Sequence, residues 1–214
     1  PIAGIHYEKD TTLAMLLAAN ARGIELYYFE LIDLFLRDGV AYGRARPLNV
    51  FADSKAWFQL GESQIMPLAD LNIILMRKDP PFNETYFFAT YLLEYAERQG
   101  VRVINRPQAL RDANEKLFTG LFPELCPPTL VTQSSPALHA FWQEHGDIVC
   151  KPLNAMGGAS VFRLKRDEAN ANVIFATLTE GNARYIMAQR FIPEIAAGDK
   201  RILLINGKAI PHAL

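Results

Sequence analysis

Ile148-Val149-Cys150-Lys151-Pro152-Leu153-Asn154-Ala155-Met156-Gly157-Gly158-Ala159-Ser160-Val161-Phe162 is the stretch on which the fold turns. It reads as a buried strand ending in a lysine, a loop of small residues, and a second strand leaving that loop. Val149 and its neighbours are β-formers, and Pro152 removes a ladder donor just after Lys151, so the ladder is expected to stop there. Gly157 and Gly158 carry no Cβ, which lets the backbone come close to a ligand. A compact positive charge beside such a turn suits anionic phosphate oxygens. The plain alternative is a β-hairpin whose lysine sits in solvent. No Gly-Lys-Ser/Thr closes the loop and no Gly-x-Gly-x-x-Gly is present, so neither of those phosphate-binding turns applies.

Composition narrows the classes. The chain has 214 residues, enough for one large domain or two small ones. Lys plus Arg (22) nearly balance Asp plus Glu (23), and the net charge of −1 argues against bulk nucleic-acid or membrane-surface binding. Charge or proline interrupts every apolar run, so no membrane span is expected, and no signal peptide opens the sequence. Cys126 and Cys150 do not make a disulfide scaffold; both read as small buried hydrophobes suited to a reducing cytosol.

Along the chain, Asp10 is a candidate N-cap for a helix through Leu13, Leu16 and Leu17 to Gly23. Residues 24–31 look like a buried strand. Asp38-Gly39 between Leu34-Phe35-Leu36 and Val40-Ala41-Tyr42 is the strongest hairpin signal. The apolar run 71–76, a helix capped by Asn83 and a strand over 101–105 make a βαβ unit, so the first half is expected to be α/β with a parallel sheet. An amphipathic helix is predicted over 112–122, ended by Pro123, and the Pro127-Pro128 pair that follows reads as a domain boundary. A strand at 129–132, a helix started by Ser134-Ser135-Pro136 and running to Gly146, a polar helix over 167–179 and a strand over 186–192 follow. Asn206-Gly207 is expected to turn a last hairpin.

Lys116, Lys151, the glycine loop and a strand edge leading to Asp199 would suit ATP. The lysines balance phosphate charge, main-chain groups near Gln189, Arg190, Phe191 and Ile192 read adenine, and Asp199 accepts from a ribose hydroxyl. His139 and His145 lack the i, i+4 spacing of a helical metal pair, and His6 and His212 are isolated. No Ser-His-Asp or Cys-His set points to a covalent intermediate.

Five motifs then point one way: Met76-Arg77-Lys78-Asp79-Pro80-Pro81-Phe82, Asn105-Arg106-Pro107, Arg111-Asp112-Ala113-Asn114-Glu115-Lys116-Leu117, Lys151-Pro152-Leu153 with Met156-Gly157-Gly158-Ala159-Ser160, and Asp199-Lys200-Arg201. In this order they resemble the ATP-grasp ligases, and most closely the bacterial glutathione synthetases, over essentially the whole chain. The resemblance implies an α/β fold with an N-terminal parallel-sheet, Rossmann-like pre-ATP-grasp domain (1–111). An ATP-grasp nucleotide-binding subdomain (112–192) and the start of a C-terminal ATP-grasp subdomain (193–214) follow. It implies nucleotide contacts by Lys116, Lys151, Met156, Gly157, Gly158, Gln189, Arg190, Phe191, Ile192 and Asp199, and substrate contacts by Arg77 and Arg201.

By the same resemblance the activity is ATP-dependent joining of γ-glutamylcysteine and glycine through an acyl phosphate, with ADP and phosphate as products. ATP and magnesium, or manganese in its place, are the implied cofactors. The partners implied are small molecules, with neither nucleic acid nor membrane, and a cytoplasmic homo-oligomer when full length. The family's first strand would precede Pro1, and its second glycine-rich loop and metal ligands would follow Leu214. The chain therefore looks truncated at both ends, and these 214 residues alone are not expected to turn over. Two rival readings stay open: an ATP-grasp ligase of another amino-acid or peptide substrate, and a nucleotide-binding module without turnover.

Overall fold

Asp10 starts the first helix: its carboxylate accepts from the Thr12 N–H at 2.7 Å, and α1 runs over Thr11–Asn20. The computed structural model describes residues 1–205 and 207–213. These fall into two units, Pro1–Asn114 and Glu115–Leu214.

In the first unit, β1 (Tyr27–Tyr28), β2 (Leu34–Arg37), β3 (Val40–Val50), β4 (Phe58–Leu60) and β5 (Gln64–Pro67) form one antiparallel sheet. The 11-residue β3 is its spine and pairs with all the others. Asp38 (φ 51°) and Gly39 (φ 79°) make the tight β2–β3 turn expected of Asp-Gly, since such a turn needs positive φ at both positions. Phe35 stacks on its cross-strand partner Tyr42 at 5.3 Å between centroids. The strand expected over 24–31 shrinks to two residues. A capping box between Glu30 and Asp33 bends the chain into a 3-10 turn, Leu31–Asp33, before the strand can lengthen.

The expected βαβ unit is present as β6 (Ile73–Leu75), α2 (Glu84–Arg98) and β7 (Arg102–Ile104), with β6 and β7 parallel. Asn83 caps α2 by accepting from the Tyr86 N–H at 3.0 Å. Ala89, Leu93 and Ala96 of α2 pack on Ile74 and Val103, while Ile73, Leu75 and Ile104 point out on the other face. Among the described residues parallel pairing is thus confined to these two strands, and the antiparallel sheet of the same unit is an addition to the sequence reading.

The helix predicted over 112–122 does not form. A short α3 lies upstream at Pro107–Asp112, with proline at its first turn, and Ala113 leaves helical geometry at ψ 67°. Arg111 donates to Thr90 and pairs with Glu94, tying α3 onto α2. Lys116 therefore caps a 3-10 turn, Leu117–Leu121, instead of sitting on an α-helix. The division into units falls between Asn114 and Glu115, upstream of the prolines.

The second unit contains β8 (Thr129–Thr132), α4 (Ser135–His145), β9 (Ile148–Pro152), β10 (Phe162–Leu164), α5 (Ala171–Leu178) and β11 (Ile186–Arg190). Its sheet is antiparallel in the order β10-β9-β11-β8. Ser134 caps α4. The ladder runs one residue further than expected, because Pro152 still faces Ile186. The helix predicted as polar over 167–179 is shorter and apolar: Ala171, Phe175 and Leu178 of α5 are buried. With Leu138 of α4 they cover Ile148, Cys150, Leu164, Ile186 and Ala188. A hairpin of β12 (Ile202–Ile205) and β13 (Lys208–Ala213) closes the unit. Of the Asn206-Gly207 turn, Asn206 lies outside the described residues and Gly207 has φ 75°.

Candidate functional site

Alternation along β9 sets the chemistry of this sheet. Ile148, Cys150 and Pro152 are buried, so Val149 and Lys151 point to the opposite face. Helices α4 and α5 occupy the first face, which leaves the second for Lys151. The register puts Met187 opposite Lys151, and Gln189 and Arg163 opposite Val149. Thr129 faces Gln189, and its hydroxyl accepts from the Gln189 amide at 2.9 Å. Lys151, Gln189, Thr129 and Arg163 thus share one sheet face.

Lys116 and Lys151 meet at a cavity of about 210 Å³ whose walls are Glu115, Val161, Pro152 and loop residues 155–159. Lys116 arrives from the segment before the sheet, and its Nζ donates to the Ala155 carbonyl and to Glu115, each at 2.5 Å. Its side chain is only 14% exposed. Burial lowers the Lys151 ammonium below the usual lysine range, and the positive charge of Lys116 lowers it further, against the opposing effect of Glu115 and Cys126. Two desolvated ammonium groups sharing a cavity are relieved by an anion placed between them. Gly157 (φ 64°) and Gly158 (φ 76°) adopt backbone that other residues rarely take, and the space where their Cβ atoms would stand is open. Ser160 follows with φ 56°. The arrangement can receive a polyphosphate: charge from two side, a glycine backbone from the third.

The structure places the remaining sequence-predicted residues as follows. Met156 lines the same cavity. Arg190 is exposed and its N–H donates to the Pro128 carbonyl at 3.0 Å. The Phe191 N–H donates to the Asp147 carbonyl at 2.9 Å, and the Ile192 carbonyl accepts from the Ile195 N–H at 3.2 Å. Asp199 and Arg201 are exposed and line no part of the cavity. Arg77 belongs to the first unit, where its Nε donates to the Thr12 hydroxyl at 3.1 Å. A second cavity, about 330 Å³, lies at the start of α1 beside Tyr7, Lys9 and Asp10, and none of the residues predicted to bind nucleotide or substrate lines it.

Sequence reasoning missed Glu115 and the Ala155 carbonyl, both partners of Lys116, and also Asp147, Thr129 and Arg163. Glu115 was readable as the neighbour of Lys116. The others depend on strand register, which the sequence does not print. Cys150 is buried, and burial pushes its thiol up to about 12. His139, half-buried on α4, packs edge-on against Phe175 of α5 at 4.8 Å between centroids.

Comparison with known proteins fixes the family. The prokaryotic glutathione synthetase N-terminal domain matches residues 1–111, and the prokaryotic glutathione synthetase ATP-grasp domain matches residues 115–214. The chain belongs to the prokaryotic glutathione synthetase family. Glutathione synthetase of Shewanella oneidensis is 54% identical over all 214 residues, which span 68% of that protein. Its Yersinia pestis counterpart is 53% identical over the same residues, 67% of its length. Among solved structures, the RimK domain protein ATP-grasp of Sphaerobacter thermophilus superposes with a TM-score of 0.56 at 21% identity, covering 86% of this chain and 61% of that one. At that identity the likeness speaks for the fold alone. The protein is thus an ATP-grasp ligase of mixed α/β fold, and ATP is its nucleotide. Among the described residues no group of three or more His, Cys, Asp or Glu side chains could hold a metal ion, so no residue is assigned to one. No helix among them is long and apolar enough to cross a membrane.

Proposed function

We propose that this glutathione synthetase family member joins γ-glutamylcysteine to glycine with ATP as the energy source. The free cysteinyl carboxylate of γ-glutamylcysteine attacks the γ-phosphorus, the bond to ADP breaks, and an acyl phosphate forms. The glycine amine then attacks the acyl carbon, phosphate leaves with the C–O bond, and the nitrogen gives up a proton as the amide forms. Such chemistry asks a protein for positioning and charge compensation, not for a nucleophile.

In this reading Lys116 and Lys151 hold the phosphates, and Met156, Gly157 and Gly158 lie over them. Gln189, Arg190, Phe191 and Ile192 meet the adenine, Asp199 the ribose, and Arg77 and Arg201 the carboxylates of the substrates. Residues 1–111 act as the substrate domain, 112–192 as the nucleotide-binding subdomain, and 193–214 as the start of the next. Magnesium would neutralise charge on the phosphates; the described residues do not form a ligand set for it. The working form would be a cytoplasmic homo-oligomer.

One observation carries the proposal: two lysines from separate segments converge on a cavity that Gly157 and Gly158 help to line. The experiment is Lys151→Met, which keeps the stem and removes the charge. A charge-assisted bond contributes about 1.5–3 kcal/mol, so ATP affinity by calorimetry should fall roughly tenfold or more. Unchanged affinity in a variant with native circular dichroism would overturn the phosphate site.

A further inference from the structure

Arg163 makes more contacts than a surface arginine on a short strand requires. Its Nε and Nη2 donate to Asp147 Oδ1 and Oδ2 at 3.0 and 2.6 Å, a forked pair that fixes the guanidinium plane. That plane lies over the Phe191 ring, 3.5 Å from its centroid. The loop is closed through the main chain, because the Asp147 carbonyl accepts from the Phe191 N–H at 2.9 Å. Asp147 stands just before β9, the strand that carries Lys151, and Arg163 lies on the neighbouring β10, so both grip Phe191, the residue that follows β11.

Stability does not account for this arrangement. Arg163 and Asp147 are 42% and 38% exposed, and an ion pair that open to water stabilises a fold little. What a forked, stacked arginine supplies is geometry. Phe191 is the point where the chain leaves the sheet: the Arg190 N–H still donates to the carbonyl of Pro128, just before β8, and Ile192 already begins the Pro193–Ala197 turn. Fixing the ring and the N–H of Phe191 fixes the direction of the peptide planes on either side. Residue 192 is then held just past the end of β11, the strand on which Met187 faces Lys151.

We infer that Arg163, oriented by Asp147 and stacked on Phe191, is a positioning residue that sets residues 189–192 for the base of the bound nucleotide. The inference rests on the proposed adenine role of that segment. It separates the base end of the site, controlled by Arg163, from the phosphate end, controlled by Lys116 and Lys151.

The two ends can be read apart by calorimetry with two ligands, ATP and inorganic tripolyphosphate, which has the charges but no base. In Arg163→Met, ATP affinity should fall about tenfold while tripolyphosphate affinity changes less than twofold, since the lost contact is a forked and stacked one. Arg163→Lys keeps the charge and stem but cannot fork on Asp147 while covering Phe191, so it should show the same selective loss with an unchanged thermal transition. Equal losses for both ligands in both variants would make Arg163 a structural residue and overturn the inference. So would unchanged ATP affinity in Arg163→Lys. If the unmodified protein binds ATP no more tightly than tripolyphosphate, the adenine reading itself fails, before any variant is made.

Discussion

Cys126 and Cys150 differ in chemistry although both are free. Cys150 points into the core under α4 and α5, and burial pushes its thiol up to about 12. A thiolate is the reactive species, so Cys150 should stay silent toward a disulfide reagent at neutral pH while half-buried Cys126 reacts. One thiol should titrate in the native protein and two in denaturant; two reacting at the same rate in the native protein would contradict the packing of β9. Tyr28 offers a second test at this scale. Its hydroxyl donates to Glu30 and accepts from the Ile2 N–H. Burial first, then the bond to Glu30, raises the phenol from 10.0 to about 12. The native state therefore keeps a proton that the unfolded chain releases above pH 10, so stability is present below pH 10 and is lost as pH rises toward 12. Tyr28→Phe should flatten that part of the curve, seen as urea midpoints that change less between pH 9.5 and 11.5 than in the unmodified protein, at values chosen about the usual tyrosine range. An unchanged slope would show that other groups govern it. At this scale the cavity between Lys116 and Lys151 was legible, because a lysine beside Gly157-Gly158 announces itself through charge and backbone freedom. Arg163 was not, since nothing in Val161-Phe162-Arg163-Leu164 tells that its partner is Asp147 or that Phe191 lies beneath it.

Elements with a chemical start signal were legible. Asp10, Asn83 and Ser134 each cap the helix expected after them, and Asp38-Gly39 turns the expected hairpin. Elements defined only by apolar content were legible in part: the strands expected over 71–76 and 129–132 form, and two other elements do not form as expected. Residues 24–31 are rich in β-formers, yet the Glu30–Asp33 capping box ends the strand after Tyr28. Residues 112–122 carry a helical apolar pattern, but the helix has already been spent on Pro107–Asp112, where Arg111 binds Thr90 and Glu94. The consequence is functional: Lys116 sits on a 3-10 turn, close enough for its ammonium to reach the Ala155 carbonyl. The antiparallel sheet around β3 escaped because short strands at its rim, Phe58–Leu60 and Gln64–Pro67, gain their pairing from β3 and have little pattern of their own. Tertiary partners decide such strands more than propensity does.

Across the whole molecule each unit has its own apolar core. In residues 1–114, Leu93 and Ala96 pack on Ile74 and Val103, and Leu13 packs with Leu48, Val50 and Trp57. In the second unit Phe175 and Leu138 pack on Ile148 and Ile186. Every residue lining the cavity between Lys116 and Lys151 belongs to the second unit. A ligand stabilises only conformations that contain its site, so ATP at about a hundred times its dissociation constant should add about 2.7 kcal/mol to that unit. Truncating fully buried Phe175 to alanine should cost about 3–5 kcal/mol, and Leu93→Ala about 2–5 kcal/mol in the other unit. ATP should therefore recover much of the loss in Phe175→Ala and little of that in Leu93→Ala. Hydrogen exchange read on peptides from each unit, with and without ATP, decides the matter: slowed exchange should concentrate at residues 115–190, around the two lysines, the loop and β11. Equal slowing throughout residues 1–114 would mean that the nucleotide is held by both units, and that a site built from Lys116, Lys151 and the loop alone is incomplete.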